Sequence, residues 1–233
     1  MEQEDRKNKY DKWVNKVCQY IEEYGARINS ASCAFQSKPV LDKSPSVIFL
    51  GYNAHEEDFF YGANKERFYS GNPSFYKDRY TNEWKIWNKL YEAFKWAQYL
   101  PPVTDGNFVF MNIIYFGSHD IRQFKALPNS DMYIDACVNY TAEVIHEVFN
   151  PKCIVCFSIP DCFNLLNNKF QFSHIEDVTP AILDGGLARH NIRCGMWNGI
   201  PIYGIPHPSG RISNDDWGAI AMWLKTEMCR LGI

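Results

Sequence analysis

The chain has 233 residues, 46% of them hydrophobic and 16% aromatic, enough to bury a large core within one domain of ordinary to generous size. Its net charge of −3 lacks the basic balance of a tight nucleic-acid binder but leaves room for a local basic patch. No run of eighteen apolar residues reads as a membrane-spanning helix, and the opening MEQEDRKNKY is charged throughout, without the apolar stretch of a signal peptide.

DRKNKYDKWVNKVCQYIEEYG, residues 5–25, has helical periodicity: Trp13, Val17, Tyr20, Ile21 and Tyr24 share a face, and Gly25 suits a C-cap. Residues 1–45 thus read as a helical extension packed on a single domain spanning 1–233. SPSVIFLGYN supplies an apolar strand over 46–51, and residues 52–82 form an irregular stretch rich in Phe, Tyr, Gly and Asn. A helix follows over NEWKIWNKLYEAFKWAQYL, with Trp87, Leu90, Tyr91, Phe94 and Ala97 inward, and PPVTDG breaks it. NFVFMNIIYF is a second apolar strand. SDMYIDACVNYTAEVIHEVFNPK is a helix capped by Ser130 or Asp131. KCIVCFS is a third strand, and PDCFNLLNN a short helix after it.

Asn198-Gly199 is a strong type I′ signal, so NIRCGMWNGIPIYGIPH reads as a hairpin whose second arm is the fourth apolar strand. SNDDWGAIAMWLKTEMCRL closes the chain as a helix capped by Ser213 or Asn214. Strands that are apolar on both faces and alternate with helices predict an α/β fold. The expected form is a three-layer α/β/α sandwich with a mostly parallel four-stranded central sheet.

Eight cysteines without a secretion signal read as reduced thiols. Cys153-x-x-Cys156 falls in an apolar strand, where positions three apart point to opposite faces, so buried structural thiols are expected rather than a metal site. His119, His146, His174 and His190 show no metal-ligand spacing and read as surface or core residues.

In parallel sheets, ligands bind outside the carboxyl ends of the strands. Three polar residues stand at predicted strand ends: Asn53 after the first, Asn112 at the end of the second, and His207 after the fourth. Singly, each suits a turn or a satisfied core amide. Together they predict one site at one sheet edge.

Around these residues the sequence resembles the uracil-DNA glycosylase superfamily, closest to its mismatch-specific and single-strand-selective Gly-x-Asn branches. FLGYNAHEEDFF resembles the first motif, FVFMNIIYF the strand whose Asn reads the flipped base, PHPSGR the closing His-Pro-Ser motif, and RFYSGNPSFY the segment that supplies a stacking ring. The resemblance runs in order over about residues 46–231.

The resemblance implies a monofunctional DNA glycosylase without metal or organic cofactor, acting as a monomer on DNA in base-excision repair. The expected location is cytoplasmic, or nuclear in a eukaryote. It hydrolyses the N-glycosidic bond of a flipped deaminated base, uracil or a related one. By carry-over, Asn112 reads the base edge, Tyr69 or Phe75 stacks on it, and Gly51 and Tyr52 border it. His207 donates to the base oxygen, Asn53 positions the attacking water, and Ser209, Gly210 and Arg211 meet the DNA backbone.

The match departs from the family in three places. Ala54-His55 replaces the expected Pro-Gly; Glu56, Glu57 and Asp58 follow at once; and the closing loop offers only Ile212 as an intercalating wedge. His55 or one of the three acids is therefore an alternative water activator. These departures also leave open a catalytically inactive domain of the same fold that binds nucleic acid, a nucleotide or a protein partner. An unrelated hydrolase ranks last, because no Gly-x-Ser-x-Gly elbow or phosphate-binding glycine loop is present.

Overall fold

A computed structural model of the chain describes residues 2–28, 34–54, 64–183 and 185–233. The alternative water activators His55, Glu56, Glu57 and Asp58 lie outside the described residues, as do residues 59–63 of the aromatic insert.

The architecture is an α/β sandwich on a mostly parallel sheet. Its strands are β1 (Val47–Gly51), β2 (Phe108–Asn112), β3 (Cys153–Phe157), β4 (Ser173–Val178), β5 (Ile192–Trp197) and β6 (Ile200–Ile205), in the order β2-β1-β3-β6-β5-β4. The expected count of four is corrected to six. β3 and β6 pair in parallel, whereas β5 runs antiparallel to both its neighbours. β5 is the first arm of the predicted hairpin, and Asn198 and Gly199 at its tip have φ of 48° and 83°, the left-handed pair that a type I′ turn requires.

No apolar alternation announces β4, because SHIEDV is an edge strand exposed along most of its length. Backbone pairing to β5 holds it, together with a two-pronged ion pair from Arg193 to Asp177 at 2.8 and 2.7 Å. β1, β2 and β3 are buried at every position, as their continuous apolar runs predict.

The chain divides into two compact units. The first comprises residues 1–45, 50–72 and 109–150. Its helices are α1 (Glu2–Tyr24), α2 (Lys65–Ser70), α6 (Ile121–Lys125) and α7 (Ser130–Glu143), the last continuing in wider turns to Phe149. Tyr10, Trp13, Val14, Val17 and Ile21 on α1 are all 2% exposed or less. Tyr10 packs on Trp13, Phe35, Tyr69 and Phe149 at ring separations of 5.6–6.2 Å. Each buried aromatic contributes on the order of 1.5–3 kcal/mol, so α1 is a mainstay of this core. The Tyr10 hydroxyl donates to the Phe68 carbonyl, and Trp13 Nε1 donates to Tyr140 O at 2.9 Å. Asn129 takes the N-cap place of α7 without a side-chain bond, in place of the expected Ser130 or Asp131.

The second unit comprises residues 46–49, 73–108 and 151–233. It holds α3 (Pro73–Asp78), α4 (Lys85–Trp96), α5 (Pro101–Thr104), α8 (Asn164–Phe170) and α9 (Asn214–Arg230). Phe49, Phe75, Trp87, Phe108 and Phe157 form its aromatic centre. Cys153 and Cys156 are fully buried free thiols, and burial pushes Cys153 up to about 12. Ser213 caps α9, its hydroxyl accepting from the Asp216 N–H at 3.1 Å. The stretch expected to be irregular carries α2 and α3, each six residues long and so too short to display a helical period.

Candidate functional site

In the first unit, β1 ends at Gly51 and β2 at Asn112, and their backbones stay paired beyond the strand ends. Ile113 N donates to Gly51 O at 2.8 Å and Ile114 N to Tyr52 O at 2.7 Å. Asn112 is 3% exposed, and its Oδ1 lies 2.9 Å from where a Cβ on Gly51 would stand. Glycine at 51 is therefore what lets the Asn112 amide lie across the end of β1. A Gly51→Ala substitution is expected to push that amide aside and cost about 1–3 kcal/mol as an overpacked site. Urea denaturation measures the cost.

Asn53, half-buried two residues beyond β1, is anchored by its amide nitrogen. Nδ2 donates to Phe116 O at 3.3 Å and to Ser118 Oγ at 2.6 Å. A carbonyl can only accept, so the edge facing Phe116 must be the NH2 group, which leaves Oδ1 as the acceptor of this side chain. Ser118 in turn donates its hydroxyl to Asp120 O at 2.7 Å and its N–H to Ala54 O at 3.1 Å. The turn after β1 and the loop after β2 are thus stitched together around Asn53. A fixed amide whose NH2 group is spent keeps its oxygen as an acceptor, which can take a hydrogen bond from water and orient it.

In the second unit, β6 ends at Ile205 and the chain turns through Pro206, His207 and Pro208. Gly210 N donates to His207 O at 2.8 Å, closing the turn. The Ser209 N–H donates to His207 Nδ1 at 3.2 Å, and Ser209 Oγ lies 2.7 Å from the same nitrogen. Because an N–H can only donate, Nδ1 carries no proton and the neutral ring is protonated on Nε2. Burial lowers the His207 pKa below its ordinary value of 6.5, partly offset by the Asp161 carboxylate. The result is a half-buried imidazole, neutral at physiological pH and presenting an N–H donor from a proline-stiffened turn.

The chain matches no family model and no curated protein. The remaining candidates divide by position. Tyr52 is 4% exposed, and the Lys125 ammonium lies 5.3 Å from the centre of its ring. Tyr69, half-buried on α2, donates its hydroxyl to Asp11 Oδ1 at 2.7 Å and meets Tyr10 edge-on. Phe75 has no exposed surface, and Trp84, Trp87 and Phe108 surround it, so its ring serves the core and offers no face to a base. Ser209, Gly210 and Arg211 are exposed, and Ile212 is half-buried.

Two features, one in each unit, carry little signal in the sequence. One is Ser118, the partner of Asn53; a serine two residues after the apolar run NFVFMNIIYF was the available signal. The other is the turn after β3, where Ser158 adopts a φ of 99°. Its hydroxyl donates to Asp161 Oδ2 at 3.0 Å and accepts from the Asp161 N–H at 3.2 Å, while its own N–H donates to Ile205 O at 3.0 Å. A non-glycine residue costs of order 1–3 kcal/mol in such a conformation, which surrounding bonds must over-determine. Nothing in FSIP announces a positive φ.

Proposed function

We propose that the protein is a DNA glycosylase of the uracil-DNA glycosylase type, a hydrolase that removes uracil or a related deaminated base from DNA as a monomer. The observation that carries this reading is the tautomer of His207. Bond cleavage leaves negative charge on the departing base, and a fixed, neutral N–H donor stabilises that charge without spending a proton. The anchored Asn53 amide fits the second requirement, an acceptor that orients water toward the sugar carbon. An amide is a poor base, so the bond to the base breaks largely before water adds. The proposed fold assignment within the α/β sandwiches follows the same resemblance. Asn112 supplies the amide for the base edge and Tyr69 the stacking ring, with the first motif altered at Ala54-His55.

The test uses labelled single- and double-stranded oligonucleotides carrying uracil, hypoxanthine or a mismatch, followed by alkaline cleavage of abasic sites. Cleaved product that disappears in His207→Ala and Asn53→Ala is the expected result. No product on any substrate at high protein excess sinks the enzyme reading. Retained oligonucleotide binding in that case identifies an inactive binding domain instead.

A further inference from the structure

The second unit holds a cleft of about 690 Å3 between α4, the start of α9 and the turn that carries His207. Lys85 and Lys89, one helical turn apart on α4, supply positive charge, and Asn88 and Asn214 supply amides. Trp96 also lines the cleft on α4 and is 51% exposed, the most exposed tryptophan among the described residues. An indole left so open on a folded surface offers a stacking face. Its inner edge rests on Gly218 of α9, where a Cβ would come within 2.7 Å of the ring, so the backbone of α9 fixes the ring position.

A second indole lines the cleft from α9. Trp217 is 3% exposed, lines the cleft, and its Nε1–H has no acceptor among the described residues. Two acids line the same space. Glu92 lies 3.6 Å from Lys95, and Asp215 sits in the first turn of α9, where the helix dipole offsets its charge. Ser209, which contacts His207 Nδ1, is on the cleft surface as well. A ligand lying here therefore touches the residue that sets the histidine tautomer.

Cations and amides at intervals along a groove, with an open aromatic face, match the repeating chemistry of a single strand: phosphates and unpaired bases. We infer that the α4–α9 cleft binds a single-stranded stretch of DNA next to the nucleotide being processed, with phosphates at Lys85 and Lys89 and one base stacked on Trp96. This rests on the glycosylase reading for the identity of the polymer, and its test does not use excision.

The probe is an undamaged, fluorescein-labelled single-stranded 12-mer, followed by anisotropy across a salt series. The Lys85→Gln/Lys89→Gln double variant is expected to bind about tenfold more weakly and to lower the slope of log affinity against log salt by about 1.4, from about 0.7 per phosphate contact on a single strand. Trp96→Leu is expected to weaken binding about tenfold, the scale of one base–aromatic stack, and Trp96→Phe to restore most of it. Unchanged affinity and salt slope in both the lysine and the leucine variants overturn the cleft, as does a wild-type protein that does not bind the 12-mer. Binding that depends on these residues in a protein that excises nothing keeps the cleft and sinks the glycosylase. Excision with variant-independent binding does the reverse.

Discussion

If the protein is the glycosylase proposed above, replacing His207 by alanine is expected to lower the rate of base excision by about 10²- to 10³-fold, the scale of one removed donor to a developing anion. The loss should fall on kcat, because the donor acts on charge that exists only once the bond to the base is breaking. His207→Gln, which offers a side-chain N–H without a titrating ring, is expected to recover part of the rate. The pH dependence separates this role from a structural one. In the proposed role the active form is the neutral ring, so activity is expected to be flat above the ordinary histidine range and to fall as pH drops through the lowered pKa. Asp161 raises that pKa against the larger effect of burial. Asp161→Asn should therefore move the acid limb to lower pH.

Stability carries the same sign. Below pH 6.5 the unfolded chain takes up a proton on this residue before the folded protein does. His207 thus contributes stability that is present above 6.5 and lost as pH falls toward its folded value. An acid limb unmoved by Asp161→Asn, with a loss in His207→Ala that follows the melting temperature, would leave His207 as a turn residue only.

Much of the fold is legible because burial and periodicity dominate it. VIFLG, FVFMN and CIVCF are apolar on both faces, and only a strand inside a sheet hides both. Asn198-Gly199 was readable for a different reason: two successive left-handed residues are nearly confined to glycine and asparagine. What escaped lacks such a marker. β4 is charged because an edge strand needs only backbone pairing and the Asp177–Arg193 contact, neither of which leaves an apolar trace. The six-residue helices α2 and α3 end before a period repeats. Phe75 reads equally well as a stacking ring or as core from sequence, and only its neighbours Trp84, Trp87 and Phe108 decide.

The candidate site divides along the same line. Residue types were readable, since Asn and His after apolar strands are conspicuous. Hydrogen-bond roles were not. That Asn53 spends its NH2 group on the loop after β2, or that the Ser209 backbone fixes the His207 tautomer, depends on contacts between segments 65 residues apart in one case and two in the other. The strain at Ser158 was invisible because a serine usually avoids positive φ.

Asn53→Ala is expected to slow excision by about 10²-fold, the lower range for a group that handles the attacking water, with KM little changed. The informative comparison is Asn53→Asp. A carboxylate is the stronger base, which favours the reaction, but it cannot donate. The oxygen replacing Nδ2 would face the Phe116 carbonyl, and Ser118 would have to turn its hydroxyl away from Asp120 O to meet it. Losing the donor to a buried carbonyl costs roughly 1–3 kcal/mol, so Asn53→Asp should unfold at lower urea than wild type. Its rate should lie between those of wild type and Asn53→Ala, because the better base is less well placed. Ser118→Ala completes the argument. It keeps the Asn53 side chain but removes its shorter anchor, and about a tenfold loss in kcat is expected from the misplacement alone. If Asn53→Ala and Ser118→Ala lower stability and leave kcat intact, Asn53 serves the loop, and the water must be held by the segment that follows it.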